Sequence, residues 1–255
     1  MMIIKILTLF PDFYANFLSS SIIGRAISKK IVKFQIINIR DYSLDKNHRV
    51  DDHPIGGGAG LIMRLEPLVD CLRNNTSSST HKIFLGPKGK TYKQEDAVRL
   101  AKLKEICLIC GHYEGVDSRF EKYYDEEISL GDFIMTGGEI ASLAIADSVV
   151  RLLEGAINHD SISEESFNDG LLEYPQYTYP KEYEGMKVPP ILFCGNHEII
   201  KEYRHKEALK ETFKKRPDLL KTYRYDKKDQ EIIQKLKDGK ELDLSKKEEK
   251  ALQAG

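Results

Sequence analysis

Glu105-Ile106-Cys107-Leu108-Ile109-Cys110-Gly111-His112-Tyr113-Glu114-Gly115 decides the fold. An unbroken apolar run follows Glu105, ends at a glycine and gives way at once to a polar loop. So short a run, bounded in this way, reads as a strand, Glu105 to Cys110. Upstream, Lys82 to Leu85 reads as another strand, closed by the turn Gly86-Pro87-Lys88-Gly89-Lys90. A helix is expected after it, from about Thr91 to Lys104. Earlier still, Ile3 to Phe10 is a strand stopped by Pro11 and Asp12, Asn16 to Lys29 a helix and Phe34 to Ile39 a strand. Leu61 to Arg73 returns to helical spacing. Downstream, Glu139 to Leu153 is apolar nearly all round, which predicts a buried helix. Strands alternating with helices imply an α/β fold on a mostly parallel sheet.

The pattern changes near Asn158. Residues 158–170 are polar and acidic, as a linker is. Beyond the proline-rich stretch Tyr174 to Pro190 the chain reads as helical and highly charged. The division expected is residues 1–158, a linker over 159–172 and a helical unit over 173–255. Asn196 to Arg216 holds seven Lys/Arg against four Asp/Glu, a local basic excess in a chain whose formal net charge is only -1. Any attraction to nucleic acid must therefore come from local clustering.

At 255 residues the chain can bury a core without covalent staples. Its 4 cysteines are too sparse for a disulfide framework and point to reduced thiols in a cytosol. Met1 to Phe10 is apolar but short and holds Lys5, so it is not read as a signal peptide. The apolar stretch to Leu153 contains Asp147 and Arg151 and is too short to span a bilayer. The expected location is the cytoplasm.

Several segments carry chemistry. In Cys110 to Arg119, a glycine at a strand's end admits close approach of a ligand. Ligands of open α/β sheets sit at the carboxyl ends of strands. Tyr113, Glu114 and Asp117 would offer stacking and hydrogen bonds there, although the segment reads equally as an ordinary turn. In Ser129 to Glu139, an apolar run bracketed by glycines leads straight into a helix. Its amides suit a flat polar ligand, against the plainer reading of a helix start capped by Thr136. Asp147 and Arg151 stand four apart, the spacing of a simple ion pair. Arg151, at the helix end, also suits a carbonyl or phosphate oxygen. Ser163 to Gly170 is an acidic linker or, when ordered by substrate, the source of a general base.

Three patterns fail. Gly86 to Thr91 resembles a phosphate loop but has Phe84 where the first glycine is required. Cys107 and Cys110 have redox spacing, but on a strand they face opposite ways. The run Gly56 to Gly60 follows no strand, so it is no dinucleotide fingerprint.

In order along nearly the whole chain, these motifs resemble the bacterial tRNA (guanine-N1)-methyltransferases. The matches are Leu9-Phe10-Pro11, Arg49-Val50-Asp51-Asp52 with Gly56-Gly57-Gly58-Ala59-Gly60, Gly111 to Gly115, Gly131-Asp132 with Gly137-Gly138-Glu139, Gly170 to Pro175 and Gly195-Asn196-His197. The resemblance implies a trefoil-knotted α/β methyltransferase domain of the SPOUT type with a small helical C-terminal domain that binds tRNA. It implies methylation of guanine N1 at tRNA position 37, beside the anticodon, with S-adenosylmethionine as methyl donor. It further implies a homodimer whose active sites are built from both chains.

The residues carried over as cofactor-binding are Leu85, Pro87, Gly111, Leu130, Gly131, Asp132, Phe133, Ile134, Met135, Gly137 and Gly138. Glu114, Asp51 and Gly60 are expected at the nucleotide. Arg151 is expected at guanine O6, with Glu165 as general base and Asp169 as the alternative. The family usually has aspartate where Glu165 stands, arginine is frequent where Tyr179 stands, and proline where Ala59 stands. The resemblance also implies magnesium, for which no dedicated ligand cluster is legible. Two other readings remain open: a knotted RNA methyltransferase with another target position, and a non-enzymatic RNA-binding protein using the basic segment Asn196 to Arg216.

Overall fold

Glu105–Cys110 is the central strand of a five-stranded parallel sheet. Its side chains alternate between two cores: Ile106, Leu108 and Cys110 on one face, Cys107 and Ile109 on the other. This is why the run is apolar throughout, and why Cys107 and Cys110 cannot form a pair. A computed structural model gives the structure and describes residues 1–157, 166–167, 170–240, 242 and 246–253. The chain divides into two units, Met1–Ile162 and Ser163–Gly255.

In the first unit the strands are β1 Met2–Thr8, β2 Val32–Asn38, β3 Asp51–Asp52, β4 Ile62–Met63, β5 His81–Thr91, β6 Glu105–Cys110 and β7 Glu126–Ser129. The main sheet runs β2-β1-β6-β5-β7, while β3 and β4 form a separate antiparallel hairpin. The helices are α1 Ala15–Ser19, α2 Ser21–Ser28, α3 Leu65–Asn75, α4 Gln94–Leu100 and α5 Glu139–Val150. Residues of α2 and α5 pack into one core and residues of α3 into the other. Both faces of the sheet are thus covered, as a parallel sheet requires.

Several expected boundaries shift. The helix expected over Asn16 to Lys29 breaks at Ser20, whose ψ of 147° is extended, and at Ser21, whose φ is 47°. The helix expected from Thr91 starts at Gln94, because β5 runs on to Thr91 and the Asp96 carboxylate accepts from the Lys93 amide to set the start. The turn expected at Gly86 to Lys90 is instead a bulge inside β5: Leu85 and Lys90 both pair with Ile128 of β7. Strand β7 itself was not anticipated.

Helix α5 is anchored by polar contacts inside the core. Thr8 Oγ1 donates to Glu139 Oε1 at 2.8 Å, and the Tyr14 hydroxyl shares a hydrogen bond with Ser142 Oγ at 2.8 Å. All these groups are buried, so each would cost free energy if left without its partner. Burial, with help from Cys110, pushes the Tyr14 phenol far up, so it stays neutral. At the opposite end of the sheet, Lys5 Nζ bonds the Asn75 carbonyl at 2.6 Å and Glu105 at 2.8 Å.

The second unit holds a hairpin of β8 Glu182–Tyr183 and β9 Met186–Lys187, with helices α6 His197–Lys215, α7 Lys227–Lys237 and α8 Lys246–Gln253. Its core gathers Leu171, Ala208, Leu209, Leu220 and Ile233. Asn196 caps α6, its Oδ1 accepting from the amides of Glu198 and Ile199. Asp229, nearly inaccessible, accepts from Tyr223 Oη at 3.1 Å and meets His205 Nε2 at 2.7 Å. Among the described residues no helix is long and apolar enough to cross a membrane.

The Lys5 ammonium, then the Thr80 hydroxyl, hold the Glu105 carboxyl below the ordinary carboxylate range. A depressed folded-state value stabilises the fold above the unfolded value and loses that contribution as pH falls. Glu105→Gln should cost about 1–2 kcal/mol at neutral pH and flatten the decline of the urea midpoint below pH 4.5, the ordinary value for glutamate. An unchanged acid limb would remove Glu105 from the acid response.

Candidate active site

A cavity of about 440 Å³ opens at the carboxyl ends of β6 and β7 and beside the bulge of β5; open α/β sheets place ligands at the carboxyl ends of their strands. Its volume falls in the range of small-molecule sites. Phe84, Leu85, Ile128 and Ala141 give it apolar walls, and the chain from Ser129 to Gly138 supplies backbone along most of one side. Glu114, Glu121 and Glu127 face it against the single lysine Lys88. The lining is acidic on balance.

Two backbone ties fix the loops. After β6 the chain meets the segment before α5: the Gly138 amide donates to the Gly111 carbonyl at 2.9 Å, and His112 bridges antiparallel to Gly137. A Cβ on Gly138 would lie 2.8 Å from the Cys110 Cα. Only glycine lets the start of α5 come so close to the end of β6. On the other side the Glu114 amide donates to the Leu61 carbonyl at 3.0 Å, and the Met63 amide to the Gly115 carbonyl at 2.9 Å. The loop 112–117 is thereby held between the β3–β4 hairpin and the start of α5.

All of the expected cofactor residues line the cavity except Asp132, which is exposed. Of the expected nucleotide residues, Glu114 lines it. Gly60, with φ +76°, packs directly on Glu114, whose Cγ would lie 2.5 Å from an added Cβ. Asp51 pairs with Met63 in the hairpin. Arg151 follows α5, half-buried, its amide bonded to the Asp147 carbonyl at 3.1 Å. It does not line the cavity of its own chain. Glu165 and Asp169 lie outside the described residues.

Two expectations are corrected. Thr136 does not cap α5: the N-cap is Gly138, without a side-chain bond, and Thr136 lines the cavity instead. Asp117 is spent on structure, capping the turn at Arg119 and pairing with its guanidinium at 2.7 Å. The sequence reading also missed His112, Tyr124 and Glu127 as lining residues. His112 lies next to the quoted Glu114, but Glu127 sits in a strand whose four residues carry no clear alternation.

The donor set suits a flat, polar, cationic ligand. It offers apolar walls for a ring, main-chain groups for its edge and carboxylates for positive charge. One ring nitrogen of His112, Nδ1, is buried without a hydrogen-bond partner among the described residues. No group of three or more His, Cys, Asp or Glu among the described residues converges as a metal site.

Fold and cavity together define a parallel α/β protein with a cavity at its strand ends, walled by a glycine-bracketed loop. Comparison with known proteins narrows that class. The family model described as tRNA (Guanine-1)-methyltransferase TrmD matches residues 2–222. A tRNA (guanine-N(1)-)-methyltransferase of Clostridium botulinum (strain 657 / Type Ba4) is 52% identical over 232 residues, 90% of this chain and 96% of the relative. Proteins of the same name from Clostridium tetani and Clostridium novyi are 50% and 51% identical, again over nearly their full length, 97% and 96%. The chain belongs to the tRNA (guanine-1)-methyltransferase family, and with it to the knotted α/β methyltransferases of the SPOUT type.

Gly138→Ala should destabilise the first unit by about 1–3 kcal/mol through overpacking against main chain that cannot yield. Urea unfolding measures this. A variant as stable as the parent would mean that the Gly111–Gly138 junction is loosely packed.

Proposed function

We propose that this chain methylates N1 of a guanine beside the anticodon of tRNA, at position 37, with S-adenosylmethionine as donor. The observation that carries this reading is the acidic, apolar-walled cavity at the strand ends of a chain in this family. When bound, S-adenosylmethionine supplies an electrophilic methyl group on a sulfonium centre. Leu85, Pro87, Gly111 and the stretch Leu130 to Gly138 would hold it, apolar side chains against its rings and main chain at its polar edges.

The chain's own residues do the rest. Guanine N1 carries a proton and is a poor nucleophile until that proton leaves. Glu165 or Asp169 takes it as general base, and negative charge then builds on O6. Arg151 neutralises that charge. Glu114, at the cavity and backed by Gly60 and the β3–β4 hairpin, orients the N–H edge of the base. The basic helix α6 attracts the phosphate backbone of tRNA.

Since Arg151 does not line its own cavity, a second copy supplies it, in a homodimer. Exposed apolar groups support this: Phe133 is 56% and Ile134 84% accessible at the cavity rim, and Ile140 is 55% accessible in the first turn of α5. Apolar surface of this kind marks a contact face. The protein works in the cytoplasm beside its tRNA, a setting that suits its 4 free thiols.

Labelled methyl transfer should occur to a tRNA transcript with guanine at the target position and not to one with adenine there. Arg151→Ala should lower turnover by about 100-fold. Of Glu165→Gln and Asp169→Asn, one should lower it by about 100-fold or more, and full turnover in both would end the general-base assignment. By sedimentation the protein should be a dimer, and Ile134→Asp a monomer with little turnover. An active monomer would refute the shared site.

A further inference from the structure

The bulge of β5 at residues 86–89 forms one wall of the cavity, and its glycines and proline permit a departure from the strand without fixing its shape. Its neighbours do. Glu127 Oε1 accepts the Lys88 amide at 3.1 Å. Oε2 of the same carboxylate accepts the Tyr124 hydroxyl at 3.2 Å. A Cβ on Gly86 would lie 2.5 Å from Glu127 Oε1. A Cβ on Gly89 would lie 2.4 Å from the Glu127 main chain. The two glycines of the bulge are therefore both seated on one glutamate.

Tyr124 extends the arrangement across the cavity. Its ring stacks on Phe84 at 5.3 Å, and the Phe84 ring in turn fills the space where Gly111 would carry a Cβ, at 2.9 Å. Phe84, Tyr124, Glu127, Gly86, Lys88 and Gly111 all line the cavity. Burial, followed by the charge of Glu127, pushes the Tyr124 phenol up to about 12. It remains a donor throughout the working pH range. The carboxylate thus ties the wall at the 86–89 bulge to the ring stack beneath Gly111.

We propose that Glu127 is a positioning residue for the methyl donor, its carboxylate clamping the Gly86–Gly89 bulge to Tyr124 so that Leu85 and Pro87 are presented to the ligand. This rests on the reading of the cavity as the S-adenosylmethionine site. It acts by reach, from both oxygens to two fixed donors, and not by attracting a cation. Reach and charge separate cleanly in two substitutions. Glu127→Gln keeps the length while removing the charge: its amide oxygen accepts the Lys88 amide, and its NH2 donates to the Tyr124 oxygen, reversing that bond. Glu127→Asp keeps the charge and withdraws the carboxylate by one methylene.

The test is calorimetric titration of the full-length protein and of both variants with S-adenosylmethionine, alongside tRNA binding and the thermal midpoint. Glu127→Asp should weaken S-adenosylmethionine binding by about tenfold, the worth of one charge-assisted hydrogen bond. Glu127→Gln should stay within about threefold of the parent, as a neutral bond replaces a charged one. tRNA affinity should be unchanged in both, and turnover at saturating donor should fall far less than donor affinity. The opposite order, with Gln weak and Asp normal, would make Glu127 a simple counter-charge and overturn the proposal. So would normal donor binding in both variants, or parallel losses of donor affinity, tRNA affinity and thermal midpoint. If the unsubstituted protein fails to bind S-adenosylmethionine, it is the reading of the cavity that falls.

Discussion

The hydrogen bond from the Gly138 amide to the Gly111 carbonyl joins the end of the central strand to the beginning of α5. The rest of the site depends on it. It brings the loop after β7 alongside the loop after β6, so that two segments more than 20 residues apart become neighbouring walls of one cavity. It also sets where α5 begins, and from that start the helix reaches Thr8 and Tyr14 in the core. A bond between two main-chain groups asks for no particular side chain. It asks instead for the absence of one at residue 138.

Much of the fold was legible. Glu105–Cys110 was read to the residue because a strand buried on both faces needs an unbroken apolar run, and few other structures do. Helix α5 was legible for the same reason. Strand β7 was not: Glu126 and Glu127 open it with two carboxylates, which make ion pairs and hydrogen bonds at the sheet edge rather than packing into a core. The break at Ser20 was hidden too, since serine at that position carries no mandatory helix stop.

The candidate site divides in the same way. The glycine-bracketed segments after β6 and β7 could be picked out because their composition is unusual for ordinary loops. The roles of Glu127 and Tyr124 could not, because they depend on distances to Lys88 and Phe84 that only the folded sheet creates. Arg151 shows the limit from the other side. Its place at the end of a buried helix was correctly read, yet the cavity of its own chain does not contain it.

The double pairing of Ile128 with Leu85 and Lys90 gives this sheet one place where length is decoupled from register. Elsewhere, inserting a residue into a strand would turn every later side chain to the wrong face. At the bulge both flanks keep their partners in β7, and Gly86, Gly89 and the Lys88 amide stay tied to Glu127, so side chains at Pro87 and Lys88 can change without moving either flank. The chamber beside it can therefore be reshaped by side-chain exchange in one short arc while the register of the sheet holds. The fold carries its own adjustable gauge for the width of that chamber.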